Sequence, residues 1–167
     1  MTESFALKPI SKPGIPRALE KAERYRLLND PEGAESICLD ILALEPDHQQ
    51  ALVVLILALT DQVVRQAATQ PIERARECLA RLTDEYERIY YEGLIDERRA
   101  RGYLVRGHSR IFAYDGFRDA MEAYEKASAI RPGGNDDALL RWNACVRTIQ
   151  LSNLRPSADN GGEPPLE

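Results

Sequence analysis

The sequence predicts an all-α protein, and three observations lead there. Apolar residues recur at steps of three and four along almost the whole chain, and the two-residue alternation of a half-buried strand is nowhere sustained. Aromatic residues, which favour strands, make up only 7% of the 167 residues. Proline and glycine fall between the periodic segments, where they end one helix and admit the next.

Taken in order, residues 1–16 are proline-rich and aperiodic, so they form an N-terminal segment ahead of a helical domain over 17–152. "NDPEGA" ends a first helix (17–29) near Asn29 and opens a second (32–45) at Pro31, whose missing N–H has no partner in a first turn. "LEPDH" breaks the chain again at Pro46. The third helix (48–66) contains "ALVVLILALT", ten residues without a charge. Pro71 opens a fourth helix (72–92) carrying the stripe Ile72, Ala75, Leu79, Leu82, Tyr86, Ile89 and Gly93. A fifth (95–114) is expected to stop at "YDGFRDA", and a sixth (117–130) at "RPGGNDD", whose glycines suit a left-handed helix end. Asn135 or Asp136 then caps a seventh helix (136–152), with Leu139, Trp142, Val146 and Ile149 inward and Arg141, Asn143, Arg147 and Gln150 outward. Residues 153–167, rich in proline, glycine and acid, read as a disordered tail.

Composition narrows the function classes. With 44% hydrophobic and 29% charged residues the chain suits a soluble globular domain, and its net charge of -5 repels phosphate backbones and anionic membrane surfaces. A nucleic-acid site would have to be a local patch. The opening residues lack the charged head and apolar run of a secretory signal and are too short to span a bilayer. Cys38, Cys78 and Cys145 are an odd set with no C-x-x-C pair, which argues against a disulfide framework and a zinc site. A cytoplasmic protein without a cofactor or a membrane partner is expected. His48 and His108 stand apart from any nucleophile or acid cluster, and no P-loop, H-E-x-x-H or G-x-S-x-G motif occurs, so no enzyme is expected.

The helices carry a repeat. "AESICLDILALEP" (34–46) and "AMEAYEKASAIRP" (120–132) both place alanine first, a larger residue four later (Cys38, Tyr124), a smaller or apolar one seven later (Ile41, Ala127) and proline twelve later. A small residue lets two helices approach, the larger one fills the adjoining groove, and proline ends the helix. The pattern resembles the second helix of a tetratricopeptide repeat (TPR), a unit of about 34 residues. "NDPEGA" and "DGFRDA" resemble the turn inside that unit, and "PDHQQAL" the linker to the next. Ala34 to Ala75 is 41 residues and Ala75 to Ala120 is 45, so the resemblance implies about three repeats, the middle one irregular with a longer turn and helices, plus a C-terminal capping helix.

Such a stack of antiparallel helix pairs implies a concave groove lined by the first helix of each pair. By that resemblance the groove positions are Gln50, Val53, Val54, Leu57, Thr60 and Asp61, then Gly102, Val105, Arg106, Ser109, Phe112 and Ala113. A helix apolar all round is covered all round. The cover for Val53, Val54 and Leu57 is the helices themselves closing over as core, the chain's own Phe5, Leu7 and Ile10, a second copy, or a protein partner.

On a helical wheel Arg99, Tyr103, Arg106 and Arg110 fall within about 60 degrees of one another. Two readings stand: a stripe that grips carboxylates or phosphate, with Tyr103 stacking on a base, or a solvated face paired with Glu85, Glu92, Asp96 or Glu97. Heat-shock co-chaperones of this family clamp a C-terminal carboxylate with lysines, asparagines and an arginine. The matching positions here are Leu19, Glu23, Val54, Gly102 and Arg106, and only Arg106 agrees. The expected function is therefore a protein–protein interaction module or scaffold that binds a peptide or helix, with nucleic-acid association through the arginine stripe as the alternative and self-association overlapping the first.

Overall fold

The computed structural model describes residues 4–65, 70–107 and 109–158, and the regular structure among them is entirely helical. A short 3-10 turn, Lys12–Gly14, leads into α1 (Ile15–Leu27), α2 (Pro31–Leu44), α3 (Gln49–Arg65), α4 (Gln70–Leu79), α5 (Glu85–Val105), α6 (Arg110–Ala129) and α7 (Asp137–Leu151). Short connections fold successive helices back on one another, giving the pairs α1/α2, α3/α4 and α5/α6, with α7 laid against α6. The first helices of the pairs also touch, α1 beside α3 and α3 beside α5.

Local chemistry explains the early boundaries. The Asp30 carboxylate accepts from the Gly33 N–H at 3.0 Å and Pro31 sits in the first turn of α2, as "NDPEGA" predicts. The Ala51 N–H donates to Nδ1 of His48 at 3.1 Å, so this histidine caps α3. His108 lies outside the described residues.

The boundaries of the fourth to sixth helices differ from the sequence expectation. The expected helix 72–92 is broken after Leu79, because residues 80–84 are held by partners far away in sequence. Gln49 accepts from the Thr83 N–H at 2.8 Å and donates to the Arg81 carbonyl at 3.2 Å, and the Arg81 guanidinium donates to the Pro46 carbonyl. Asp84 then accepts from the Glu87 N–H at 2.8 Å and starts a new helix. The expected helix 95–114 ends instead at Val105, where Arg106 caps α5 and Gly107 takes φ +65°, and α6 opens at Arg110. "YDGFRDA" is not a turn but the middle of α6.

Two glycines expected near helix ends are notches between α5 and α6. A Cβ on Gly93 would stand 2.9 Å from the Tyr124 ring, and one on Gly116 would stand 3.0 Å from the Ala100 Cβ. The excess spacing of the repeat is therefore shared. Between Ala34 and Ala75 it falls in the middle pair, where α3 is long at 17 residues although α4 has only 10. Between Ala75 and Ala120 it falls mainly in the third pair, whose α5 and α6 have 21 and 20 residues.

Two apolar cores result. One joins α1 to α4 and is closed by Ile95 of α5; the other lies between α5, α6 and α7 around Phe117, Tyr124 and Cys145. Ala34, Ala75 and Ala120, one on the second helix of each pair, have no exposure. Arg141 corrects the expected outer face of α7: it turns inward and donates to the buried Glu97 at 3.4 Å, while Leu139 and Leu140 face solvent. The ordered chain continues past 152, since Leu154 is buried in the second core; residues 159–167 lie outside the described residues. No helix of the described residues is long and apolar enough to cross a membrane.

Candidate interaction groove

Most of "ALVVLILALT" is ordinary core. Ala51, Leu52, Val54, Leu55, Ile56, Ala58, Leu59 and Thr60 are buried against α1, α2, α4 and α5, which leaves Val53 and Leu57, one turn apart, half-buried on the remaining face. There the walls of α1, α3 and α5 enclose a groove of about 610 Å³, lined by Leu27, Val53, Val54, Leu57 and Tyr91 and flanked by Glu23, Gln50 and Glu87. Leu27 is 86% exposed, so the groove has an uncovered apolar wall. Phe5 and Leu7, two of the residues the sequence offers as an internal cover, stand 85% and 92% exposed and do not close it; Ile10 packs on the first core.

The groove continues through Arg26 and Leu27 into a depression of about 420 Å³ lined by Asp61, Val64, Arg65 and Arg98. Here Arg26 Nε donates to Asp61 at 2.9 Å, and Arg98 faces the same carboxylate at 3.6 Å. Glu23 aligns with Val53 and Tyr91, and Arg26 with Asp61 and Arg98. The lining residues thus advance together, so α1, α3 and α5 run parallel. A larger depression of about 710 Å³ on the outer side of α1 is lined mainly by solvated charged side chains, with Lys21 over the Tyr25 ring at 5.4 Å.

Burial, then the neighbouring Asp84, raises the Glu87 carboxyl above its ordinary value. Burial lowers Arg98 against the opposing pull of Asp61. Burial also pushes the Cys38 and Cys145 thiols up to about 12 and raises Cys78, which fits small buried hydrophobes. No group of side chains among the described residues could hold a metal ion.

The sequence-predicted site residues divide. Val53, Val54, Leu57 and Asp61 line the groove and its extension, with Val54 as buried floor. Arg99, Tyr103, Arg106 and Arg110 do not share one helix, which corrects the expected stripe: α5 ends at Val105, Arg106 caps it, and Arg110 opens α6. Arg99 pairs with Asp96 at 3.3 Å and Asp119 at 3.7 Å, Tyr103 leans on Phe112, and Arg110 donates to the Ser152 carbonyl. The wall that α5 supplies is instead Glu87, Tyr91 and Arg98. "DEYE" carried the missed signal: read as a capping box starting a helix at Asp84, it sets these three at steps of four and seven. No family model, curated protein or solved structure matches the chain.

Proposed function

We propose that this chain is a protein-interaction module, similar in build to tetratricopeptide-repeat proteins, that receives a peptide or helix in the groove of α1, α3 and α5. The observation that carries this reading is the uncovered apolar strip of Leu27, Val53 and Leu57 on the first helices of the first two pairs, walled on the third side by Tyr91 of α5. Apolar side chains that line a concave groove and have no cover of their own mark binding surfaces. The packing order supports the repeat resemblance, with each second helix holding a buried alanine at Ala34, Ala75 or Ala120. The absence of a transmembrane-length apolar helix among the described residues fits a cytoplasmic adaptor or scaffold. The reading requires neither cofactor nor catalysis.

Peptide display on the full chain tests it. Binders are expected to lose affinity on Leu57→Asp and on Leu27→Asp, the second of which alters an exposed side chain and spares the core. Binders indifferent to both substitutions, with helicity unchanged, would remove the groove as the site. Light scattering of the same variants separates self-association, since a dimer that becomes a monomer on Leu27→Asp makes the occupant a second copy.

A further inference from the structure

The groove is electrically polarised along α3. At its Gln50 end it is lined by Glu23 and Glu87, neither of which forms an ion pair among the described residues. At its Val64 end Arg26, Arg65 and Arg98 line the wall with Asp61 as the only carboxylate among the lining residues. Arg26 is committed to Asp61 at 2.9 Å, the half-exposed Arg65 pairs with Glu32 at 3.2 Å, and Nε of Arg98 has no acceptor among the described residues, so the cations outnumber the carboxylates there by one. Between the two ends lie Leu27, Val53 and Leu57. The stretch from Gln50 to Val64 is roughly 21 Å of helix at about 1.5 Å per residue, close to four turns.

Helices favour acid in the first turn and base in the last, because their N-termini carry partial positive charge and their C-termini partial negative charge. The parallel dipoles of α1, α3 and α5 favour a neighbour of opposite direction for the same reason. Resting on the groove reading above, we propose that the occupant is one amphipathic partner helix of about four turns lying antiparallel to α3. Its acidic first turn meets Arg65 and Arg98, its apolar face covers Val53 and Leu57, and a lysine or arginine of its last turn sits between Glu23 and Glu87. The chain's own residues 4–10 do not fit this description, having no helix and being interrupted by Pro9.

The test uses about 14-residue peptides selected by display on the full chain and sensitive to Leu27→Asp. The expected binders become helical on binding, carry acid early and base late, and lose about fivefold in affinity on the double variant Glu23→Gln, Glu87→Gln. A photo-crosslinker at their C-terminal end should react near Gln50, and one at the N-terminal end near Val64. Groove-dependent binders that lack this polarity, or crosslink in the reverse sense, overturn the proposal and leave the groove reading standing. If no binder depends on Leu27, both fall. If the chain dimerises through the groove, or if deleting residues 1–10 strengthens peptide binding several-fold, the occupant is a second copy or the chain's own arm and the partner helix is overturned.

Discussion

The Tyr124 hydroxyl donates a hydrogen bond to Glu97 at 2.7 Å, tying α6 to a fully buried carboxylate on α5. Arg101 completes the pairing with two bonds at 3.0 and 2.9 Å, and Arg141 brings in α7 at 3.4 Å. Burial first, then Glu97, raises the Tyr124 hydroxyl pKa far above the usual range, so it stays protonated and remains a donor. Removing the carboxylate leaves two guanidiniums and a buried hydroxyl without their acceptor. Glu97→Ala is expected to cost about 3 kcal/mol, and Tyr124→Phe about 2 kcal/mol, because it keeps both arginines paired. Urea unfolding measures both; equal costs would mean that the arginines contribute little.

Alanine usually stabilises a helix relative to glycine by about 1 kcal/mol. At Gly93 the sign is expected to reverse, since the new Cβ would lie 2.9 Å from the Tyr124 ring and 3.2 Å from the Ala120 carbonyl oxygen. Gly93→Ala should therefore destabilise by about 1 to 2 kcal/mol. Gly133→Ala, with nothing within 4 Å, serves as the near-neutral control. A stabilised Gly93→Ala would show that α5 and α6 separate easily.

The raised Glu87 carboxyl makes stability depend on pH in a defined direction. Its folded form holds a proton more tightly than the unfolded form, so its contribution is fully present below the unfolded pKa and is lost as pH rises through the folded one. The neighbouring Asp84 carboxylate acts in the same sense, and among the described residues no cation lines that end of the groove except Arg26, which is committed to Asp61. Glu87→Gln should thus be slightly more stable than the parent at pH 7 and indistinguishable at low pH. Paired urea midpoints across that range check it; a variant less stable at pH 7 would mean the carboxylate has a structural cation partner.

All three thiols are buried, and burial raises each of their pKa values. A thiol reagent at pH 8 should modify them only as fast as the chain opens, and fully in denaturant. Rapid labelling of one cysteine in the native chain would identify a local opening.

Asp84→Ala is expected to cost about 1 kcal/mol by removing the cap of α5. Because α5 carries Glu87 and Tyr91 in its first turns, fraying there should also weaken groove binding, which Asp84→Asn ought to restore. Chemical denaturation and peptide affinity measured on the same two variants give the answer.

The sequence by itself determined the helical class, the entry into α2 through Asp30 and Pro31, and the buried alanines of the second helices. Each follows from local periodicity or capping, which a chain carries wherever it folds. It also placed Val53, Val54, Leu57 and Asp61 on one wall, because those residues share a helix. Tertiary structure decided the rest. Residues 80–84 leave the helix because Gln49 and the Pro46 carbonyl hold them, partners more than 30 positions away in sequence. Gly93 and Gly116 stay inside helices because a ring and a neighbouring alanine lie against them, so the same residue that ends a helix at Gly107 allows close packing elsewhere. Arg99 reaches a carboxylate on α6 instead of serving a common stripe, and Arg141 reaches one on α5 instead of the outer face of α7, since a wheel drawn for one helix has no knowledge of the charges brought to it by the others.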